Sequence, residues 1–298
     1  MIRRLALLAS IMPALVPTDA VRGAVPATPQ AVLAAAPRRD WAAIDPENLL
    51  LIQLADGGRV VIALAPAFAP LHIANIRLLA RTHWFDGTAI VRVQDDYVTQ
   101  WGDPDGKRPL PPGVSRALPA EYERSHAGLS ITPVRYRDTY APRVGLLDGF
   151  PVANDGKRAW LTHCYGMVGV ARDNNPDTGT GAELYAVIGH APRALDRNIA
   201  LVGRVVEGMD RLAALPRGSG DLGFYADARQ RPGIVRVGIA ADLPAAERPG
   251  FEWLRPASAS FAAWLRVKAN RHDAFYLRPA GAVDLCNVLP PVRRADAG

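Results

Sequence analysis

The chain has 298 residues, of which 49% are hydrophobic, and a formal net charge of +6 at pH 7. This length allows one large domain or two small ones, and the hydrophobic content is sufficient for a core. The basic excess consists of scattered arginines without a dense run, a pattern that favours a solvated basic surface over a nucleic-acid-binding face. No motif of a known RNA- or DNA-binding module occurs, so we expect no nucleic-acid partner.

The N-terminus has the pattern of a secretory signal peptide. Arg3 and Arg4 precede a short apolar run over residues 5–16, and small residues follow. Cleavage after Ala20 and cleavage after Ala27 both fit this pattern. Because the run is too short to anchor the chain in a bilayer, we expect a periplasmic or secreted protein with no membrane anchor after cleavage. The alternative is a disordered tail.

Two strands and a helix are predicted next. Residues 49–54 and 59–64 are apolar, and Asp56-Gly57-Gly58 between them is a hairpin signal. Pro70 lies in the first turn of a helix whose apolar positions recur at helical spacing until about His83.

The stretch 85–103 predicts a turn, two strands and a second turn. A strand rich in β-branched residues follows Asp86-Gly87, and a short strand over residues 97–100 leads to Gly102-Asp103. Arg92 lies in the middle of the first strand. An arginine there needs a partner, a cleft or water, because burial of an unpaired charge is costly.

This stretch resembles the signature of the cyclophilins, a family of peptidyl-prolyl isomerases. In that signature an aromatic residue is followed by x-Gly-Thr, then by a strand that contains an arginine, and finally by Gln-Gly-Gly-Asp. By that resemblance Arg92 matches the catalytic arginine, and Gln100 matches the glutamine that helps to hold the substrate backbone. Tyr97 and Val98 fall where the family has the phenylalanine and methionine of the proline pocket. Trp101 stands where the family has a glycine.

A second match covers residues 195–210, which resemble the cyclophilin pattern Leu-Asp-Gly-x-x-x-x-Phe-Gly-x-Val-x-x-Gly-Met-Asp. Residues 166–171 resemble another strand of the family. Order and spacing agree in the first two blocks, and the resemblance extends over about residues 48–240 with one insertion.

Other expected groove positions depart from the family pattern. Glu183 replaces a glutamine that binds substrate, Leu184 follows it, and Tyr185 replaces a pocket phenylalanine. Ile199 occupies the usual histidine or tyrosine position, and Ala194 the usual tryptophan position. By the resemblance we expect Glu183, Leu184, Tyr185 and Ile199 to contact substrate.

The resemblance implies a mainly β fold, a cyclophilin-like closed eight-stranded antiparallel barrel capped by two helices. The second of these helices is expected over residues 207–215, and the closing strand over residues 234–239. A helix capped by Ser258 and running to about Asn270 is expected in a C-terminal helical extension.

These expectations divide the chain into four parts. Residues 1–27 are the signal peptide and leader, and residues 28–47 are a flexible linker. Residues 48–240 form the barrel, with an ordered insertion over about residues 126–164. Residues 241–298 form an extension packed on the barrel.

The two cysteines, Cys164 and Cys286, fit no metal-binding spacing. In an oxidising compartment the pair can form a disulfide, which would join the end of the insertion to the C-terminal extension. The alternative is two buried free thiols.

The resemblance implies a peptidyl-prolyl isomerase that uses no cofactor or metal and acts on proline-containing polypeptides, as a monomer, during the folding of exported proteins. Arg92 would donate to the prolyl nitrogen of a twisted X-Pro bond, and Gln100 would orient Arg92. The alternative is a cyclophilin-fold module that binds proline-containing segments or acts as a chaperone with weak or no catalysis. Arg92 and Gln100 favour the enzyme, whereas the changes at Glu183, Ala194 and Ile199 favour the binding module.

Overall fold

The computed structural model describes residues 28–103 and 107–295. The α-helices of this part are α1 (Pro29–Ala34), α2 (Pro70–Arg81), α3 (Met209–Ala214) and α4 (Ala259–Ala269). The strands are β1 (Trp41–Ala43), β2 (Leu49–Leu54), β3 (Arg59–Leu64), β4 (Ala89–Val93), β5 (Val98–Gly102), β6 (Arg124–Ser125), β7 (Thr132–Val134), β8 (Arg143–Leu147), β9 (Phe150–Asn154), β10 (Arg158–Leu161), β11 (Met167–Val170), β12 (Glu183–Val187), β13 (Leu201–Glu207), β14 (Ile234–Ile239), β15 (Phe251–Leu254) and β16 (Val292–Arg294).

Eight strands form a nearly closed antiparallel barrel in the order β14-β2-β3-β13-β11-β12-β5-β4. The two edge strands meet where the Ile234 amide donates to the Thr88 carbonyl at 2.8 Å and the Ile90 amide donates to the Pro232 carbonyl at 2.8 Å. These bonds occupy backbone groups that an open sheet edge would leave unpaired. The predicted fold class, a mainly β fold built on an eight-stranded antiparallel barrel, is confirmed.

Helix α2 packs into the barrel core because its apolar side chains recur on one face. Ile73, Ile76 and Leu79 are fully buried in the same cluster as the inward residues of the strands. Helix α3 places Leu212 in that cluster as well. It is shorter than the predicted 207–215 helix, since Gly208 has a left-handed φ of 85° and the helix begins after it.

The insertion forms most of a second, five-stranded antiparallel sheet in the order β6-β10-β9-β8-β7. Its apolar face, with Val152 and Leu161, packs against the outward-facing Val61 and Ala63 of the barrel strand β3. Strands of the barrel are therefore covered on both faces, which explains why β3 reads as a continuous apolar run.

The C-terminal extension forms a third sheet in the order β1-β15-β16, together with α4. Helix α4 begins after Ser258, whose hydroxyl accepts from the Phe261 amide at 3.0 Å. Phe251 and Trp253 of β15 share a cluster with the barrel residue Leu49. A disulfide joins Cys164 to Cys286, with their Cα atoms 5.0 Å apart.

Residues 28–47 are not the flexible linker that their composition suggested. They contain α1, which packs on α4, and β1, which pairs with β15. Trp41 is only 6% exposed and shares a cluster with Phe261 and Trp264. Burial of this one large aromatic side chain fixes a segment that is otherwise rich in alanine and proline.

The expected signal peptide, over residues 1–27, and its two candidate cleavage sites lie outside the described residues. Within residues 28–103 and 107–295, none of the helices is long and apolar enough to cross a membrane.

Candidate active site

Arg92 and Gln100 face each other on neighbouring strands. They are paired residues of β4 and β5, next to a register shift between Ile90 and Arg92. Such a bulge changes which way a strand residue points, and it allows Arg92 to leave the core while Ile90 stays buried in it.

Three acceptors hold the Arg92 guanidinium. Its Nη1 donates to Gln100 Oε1 at 3.1 Å, its Nε donates to the Leu222 carbonyl at 2.6 Å, and its Nη2 donates to Gln94 Oε1. The guanidinium carbon also lies 5.3 Å from the ring centroid of Phe224. A planar fork fixed in this way is oriented before any substrate arrives.

Partial burial lowers the pKa of Arg92 from its ordinary value, whereas the charges of Tyr97 and Glu183 act in the opposite direction. The guanidinium carbon lies 5.5 Å from the ring centroid of Tyr97. Because a guanidinium starts from a very high pKa, Arg92 stays a cation at neutral pH.

Gln100 links Arg92 to Glu183. Gln100 is 6% exposed, and its Nε2 donates to Glu183 Oε1 at 2.5 Å. Burial raises the pKa of Glu183, as do the charges of Asp103 and Asp173, while the Gln100 hydrogen bond and Arg92 lower it. A peptide backbone that binds Gln100 must therefore compete with a carboxylate of the protein itself.

A small apolar cluster forms beside these polar groups. Val98 and Tyr185 are buried in it, and Tyr97 and Ile199 pack against it partly exposed. The structure thus brings together four of the predicted pocket residues. Leu184 is not among them, because side chains alternate along β12 and Leu184 points into the barrel core, where it is 1% exposed. Its expected contact with substrate is a wrong prediction.

Tyr185 heads a chain of buried polar groups, which we call the Tyr185 relay: Tyr185, His163, Asp196, Arg193 and Asp138. The Tyr185 hydroxyl lies 2.9 Å from His163 Nε2, and His163 Nδ1 lies 3.0 Å from Asp196. Arg193 donates to Asp196 at 2.6 Å and to both oxygens of Asp138 at 2.9 and 3.1 Å. In a neutral His163, Nδ1 donates to the carboxylate and Nε2 accepts from the hydroxyl.

The relay holds the Tyr185 hydroxyl away from solvent. Tyr185 is 5% exposed and His163 is fully buried. The ring lies against Gly169, where a Cβ atom would come within 2.4 Å of the ring Cζ, so this position has no room for a side chain. Sequence patterns did not predict the relay, because Asp138 and His163 belong to the insertion, outside the family pattern.

A groove of about 590 Å³ runs along Arg92, Gln100 and Glu183. Segment 222–224, which sequence patterns did not single out, contributes Leu222 and Phe224 to its lining. Among the described residues, the charged side chains along the groove are balanced, with four arginines and four carboxylates: Arg92, Arg108, Arg116, Arg172, Asp103, Asp173, Asp177 and Glu183.

The family model for cyclophilin type peptidyl-prolyl cis-trans isomerase/CLD matches residues 49–238. The chain belongs to this family. The enzyme class that membership gives, peptidyl-prolyl cis-trans isomerase, is the one that the motifs predicted.

Two curated relatives of this cyclophilin are the probable peptidyl-prolyl cis-trans isomerases of Brucella suis and Brucella abortus. Each is 26% identical over 199 residues, which is 67% of this chain and 87% of the relative. The crystal structure of the cyclophilin AquaCyp293 from Hirschia baltica is similar with a TM-score of 0.67 and 25% identity. That similarity covers 91% of this chain and 98% of the other, so it extends beyond the barrel.

Proposed function

We propose that this cyclophilin isomerises X-Pro bonds by donating a hydrogen bond from Arg92 to the prolyl nitrogen. Rotation about such a bond faces a barrier of roughly 18–20 kcal/mol, which amide resonance creates. When the amide twists, the nitrogen gains lone-pair character and can accept a hydrogen bond. A donor aimed at that atom stabilises the twisted state more than the planar ones, which is the requirement for catalysis.

The observation that carries this proposal is the fixed, half-buried Arg92 guanidinium beside an apolar cluster. Gln100 and the Leu222 carbonyl hold it at 3.1 and 2.6 Å. Tyr97 and Ile199 lie at the partly exposed edge of the cluster, and in this proposal they contact the proline ring. When apolar contacts hold the proline ring, the carbonyl of the preceding residue can still rotate. Binding energy then helps to stabilise the twisted X-Pro bond.

A second function, binding of proline-containing segments with little catalysis, is favoured by one contact. Gln100 Nε2 already donates to Glu183 at 2.5 Å, and a carboxylate accepts this hydrogen bond more strongly than a neutral side chain would. Arg92 and the apolar cluster can bind a peptide even if this competition weakens turnover. The two functions differ in the exchange rate of bound peptide, not in whether peptide binds.

One NMR experiment on the mature chain separates the two functions. Exchange cross-peaks between the cis and trans forms of an Ala-Pro-containing peptide are measured with catalytic amounts of protein, and binding is followed in the same titration. Exchange accelerated beyond the slow uncatalysed rate supports isomerisation. Chemical-shift perturbation without faster exchange would support the binding module.

We further propose that the protein acts on exported polypeptides outside the cytoplasm. The proposal is supported by the basic and apolar pattern of residues 3–16 and by the Cys164–Cys286 disulfide, since disulfides persist in oxidising compartments. Cell fractionation with N-terminal sequencing tests it. A mature chain that begins after Ala20 or Ala27 in the exported fraction is expected, and an uncleaved chain in the cytoplasm would contradict it.

A further inference from the structure

A second large cavity, of about 800 Å³, lies between barrel strand β13, helices α1 and α4, and the segment 271–291. It shares no lining residue with the groove at Arg92. Its volume is in the range of cavities that hold small organic molecules. The mechanism proposed above uses none of its residues.

The charged residues that line this cavity in the described part of the chain are all cations. They are Arg204 in the wall and Lys268, Arg271 and Arg278 nearer solvent. Arg271 is paired with Asp273 at 2.6 Å. Lys268 and Arg278 form no ion pair with any carboxylate of the described residues. The mouth of the cavity therefore carries positive charge that the surrounding protein does not neutralise.

Arg204 is the cation in the wall of the cavity, and only one of its three nitrogens donates to the described residues. Its Nη1 donates to the carbonyls of Gly149 and Pro290, both at 2.9 Å. Within the described part of the chain, its Nε and Nη2 have no acceptor. Burial lowers the pKa of Arg204 to about 10, and among the described residues no carboxylate opposes this effect. A partly buried cation with unused donors gains from a bound anion.

The remaining walls are apolar and aromatic. Leu33 of α1, Met209 of α3, Trp264 of α4 and Leu289 of the C-terminal segment line the cavity, together with Tyr276. Inorganic phosphate or sulfate would leave these walls in contact with water. An occupant that satisfies both parts of the lining has an anionic head and an apolar body.

We propose that this cavity binds an amphipathic organic anion, with a carboxylate held by Arg204, Lys268 and Arg278 and an apolar body against Trp264 and Leu289. The body can be a linear acyl chain or an aromatic ring system, and the experiment below has an arm for each. The proposal does not depend on the isomerase mechanism, because the two cavities have separate linings.

Isothermal titration calorimetry on the mature, oxidised chain tests this proposal. The ligands are octanoate, with neutral octanol as its control, and 2-naphthoate, with neutral 2-naphthol as its control. At least one carboxylate is expected to bind about tenfold or more tightly than its neutral counterpart, as expected for one charge-assisted hydrogen bond. The carboxylate that binds more tightly identifies the body as acyl or aromatic. Equal affinity for charged and neutral forms, or no binding of either carboxylate at millimolar concentration, would overturn the proposal.

Variants of the cations at the mouth of the cavity test the proposal better than a variant of Arg204. Arg204 also donates hydrogen bonds to two separate backbone segments, so its replacement threatens folding. Lys268→Gln and Arg278→Gln are each expected to weaken carboxylate binding several-fold. Arg229→Gln, whose side chain is 90% exposed and paired only with Asp227, is expected to leave it unchanged. Isomerase activity should be unaffected in all three variants. Unchanged carboxylate affinity in both mouth variants would contradict the assignment.

Discussion

At the scale of single residues, Glu183 is the residue of the groove that fits peptide binding least well, because it puts a carboxylate where a neutral amide would bind the peptide backbone. Its carboxylate lies 2.5 Å from Gln100 Nε2 and in the field of Asp103 and Asp173. Peptides with acidic side chains next to proline should therefore bind less well than basic ones. The expected preference is about fivefold, corresponding to roughly 1 kcal/mol between partly screened charges.

Replacement of Glu183 by glutamine keeps the shape and an acceptor for Gln100 while removing the charge. Glu183→Gln should reduce the preference for basic over acidic peptides, as measured by titration with a matched pair of proline peptides. Glu247→Gln, at an exposed position outside the groove, is the control. If Glu183→Gln and wild type rank the charged peptides in the same order and by the same factor, the assignment of Glu183 to the peptide-binding groove is wrong.

The raised pKa of Glu183 also predicts a pH dependence of stability. The folded state binds this proton more tightly than the unfolded state, so the contribution of Glu183 to stability is present at low pH and is lost as pH rises through the raised value. Glu183→Gln should therefore unfold at a higher urea concentration than wild type at pH 7. The difference should shrink at pH 4, and a difference independent of pH would contradict the assigned cause.

The Tyr185–His163 pair should behave as one unit. Removing one partner leaves a buried polar group unsatisfied, at a cost of about 1–3 kcal/mol, whereas removing both avoids that penalty. Tyr185→Phe and His163→Leu should each lower the free energy of unfolding, and the double variant should lose less than their sum. Tyr165→Phe, at a partly exposed ring, is the control. Strict additivity would argue against the hydrogen bond.

Sequence motifs predicted some residues of the site correctly and missed others, and the difference has physical reasons. Arg92 and Gln100 lie eight residues apart in one hairpin, so a local pattern was enough to pair them. Leu184 was misplaced because a family resemblance names neighbours without saying which face of the strand each one occupies. The Tyr185 relay joins residues from 138 to 196, and no local pattern encodes such contacts.

At the scale of elements, strand prediction followed hydrophobic patterning closely. The predicted bounds 49–54, 59–64 and 234–239 agree with β2, β3 and β14. Strand β1 was missed because a strand of three residues, in a segment rich in proline and alanine, is too short to show an alternation of apolar and polar residues. It is held by pairing with β15 and by burial of Trp41, neither of which is local information.

The disulfide links two elements outside the barrel. Cys164 and Cys286 are separated by 122 residues, and closing a loop of that size stabilises the fold by about 5 kcal/mol in the chain-entropy model. Cys286→Ser should lower the urea midpoint accordingly, and wild type should approach the variant after reduction. Thiol labelling of the unreduced, denatured protein should find no reactive cysteine, and two reactive thiols per chain would rule the bridge out.

At the scale of the whole molecule, the barrel and the second sheet together support the groove and its apolar cluster. The barrel supplies Arg92, Gln100 and the apolar cluster, while the second sheet covers the outside of β3. The second sheet's insertion also reaches the groove through the Tyr185 relay, which ends at Asp138. The insertion is therefore connected to the site through buried contacts, although it lies outside the family pattern.

The rate of cis–trans exchange in an X-Pro peptide, measured for wild type, Arg92→Ala and the exposed control Arg229→Ala, tests the central claim most directly. Wild type and Arg229→Ala should accelerate exchange equally. Arg92→Ala should lose about 10²-fold, the scale on which loss of one preorganised donor acts, while its urea unfolding stays close to wild type. An Arg92→Ala variant that turns over peptide like wild type would contradict the account.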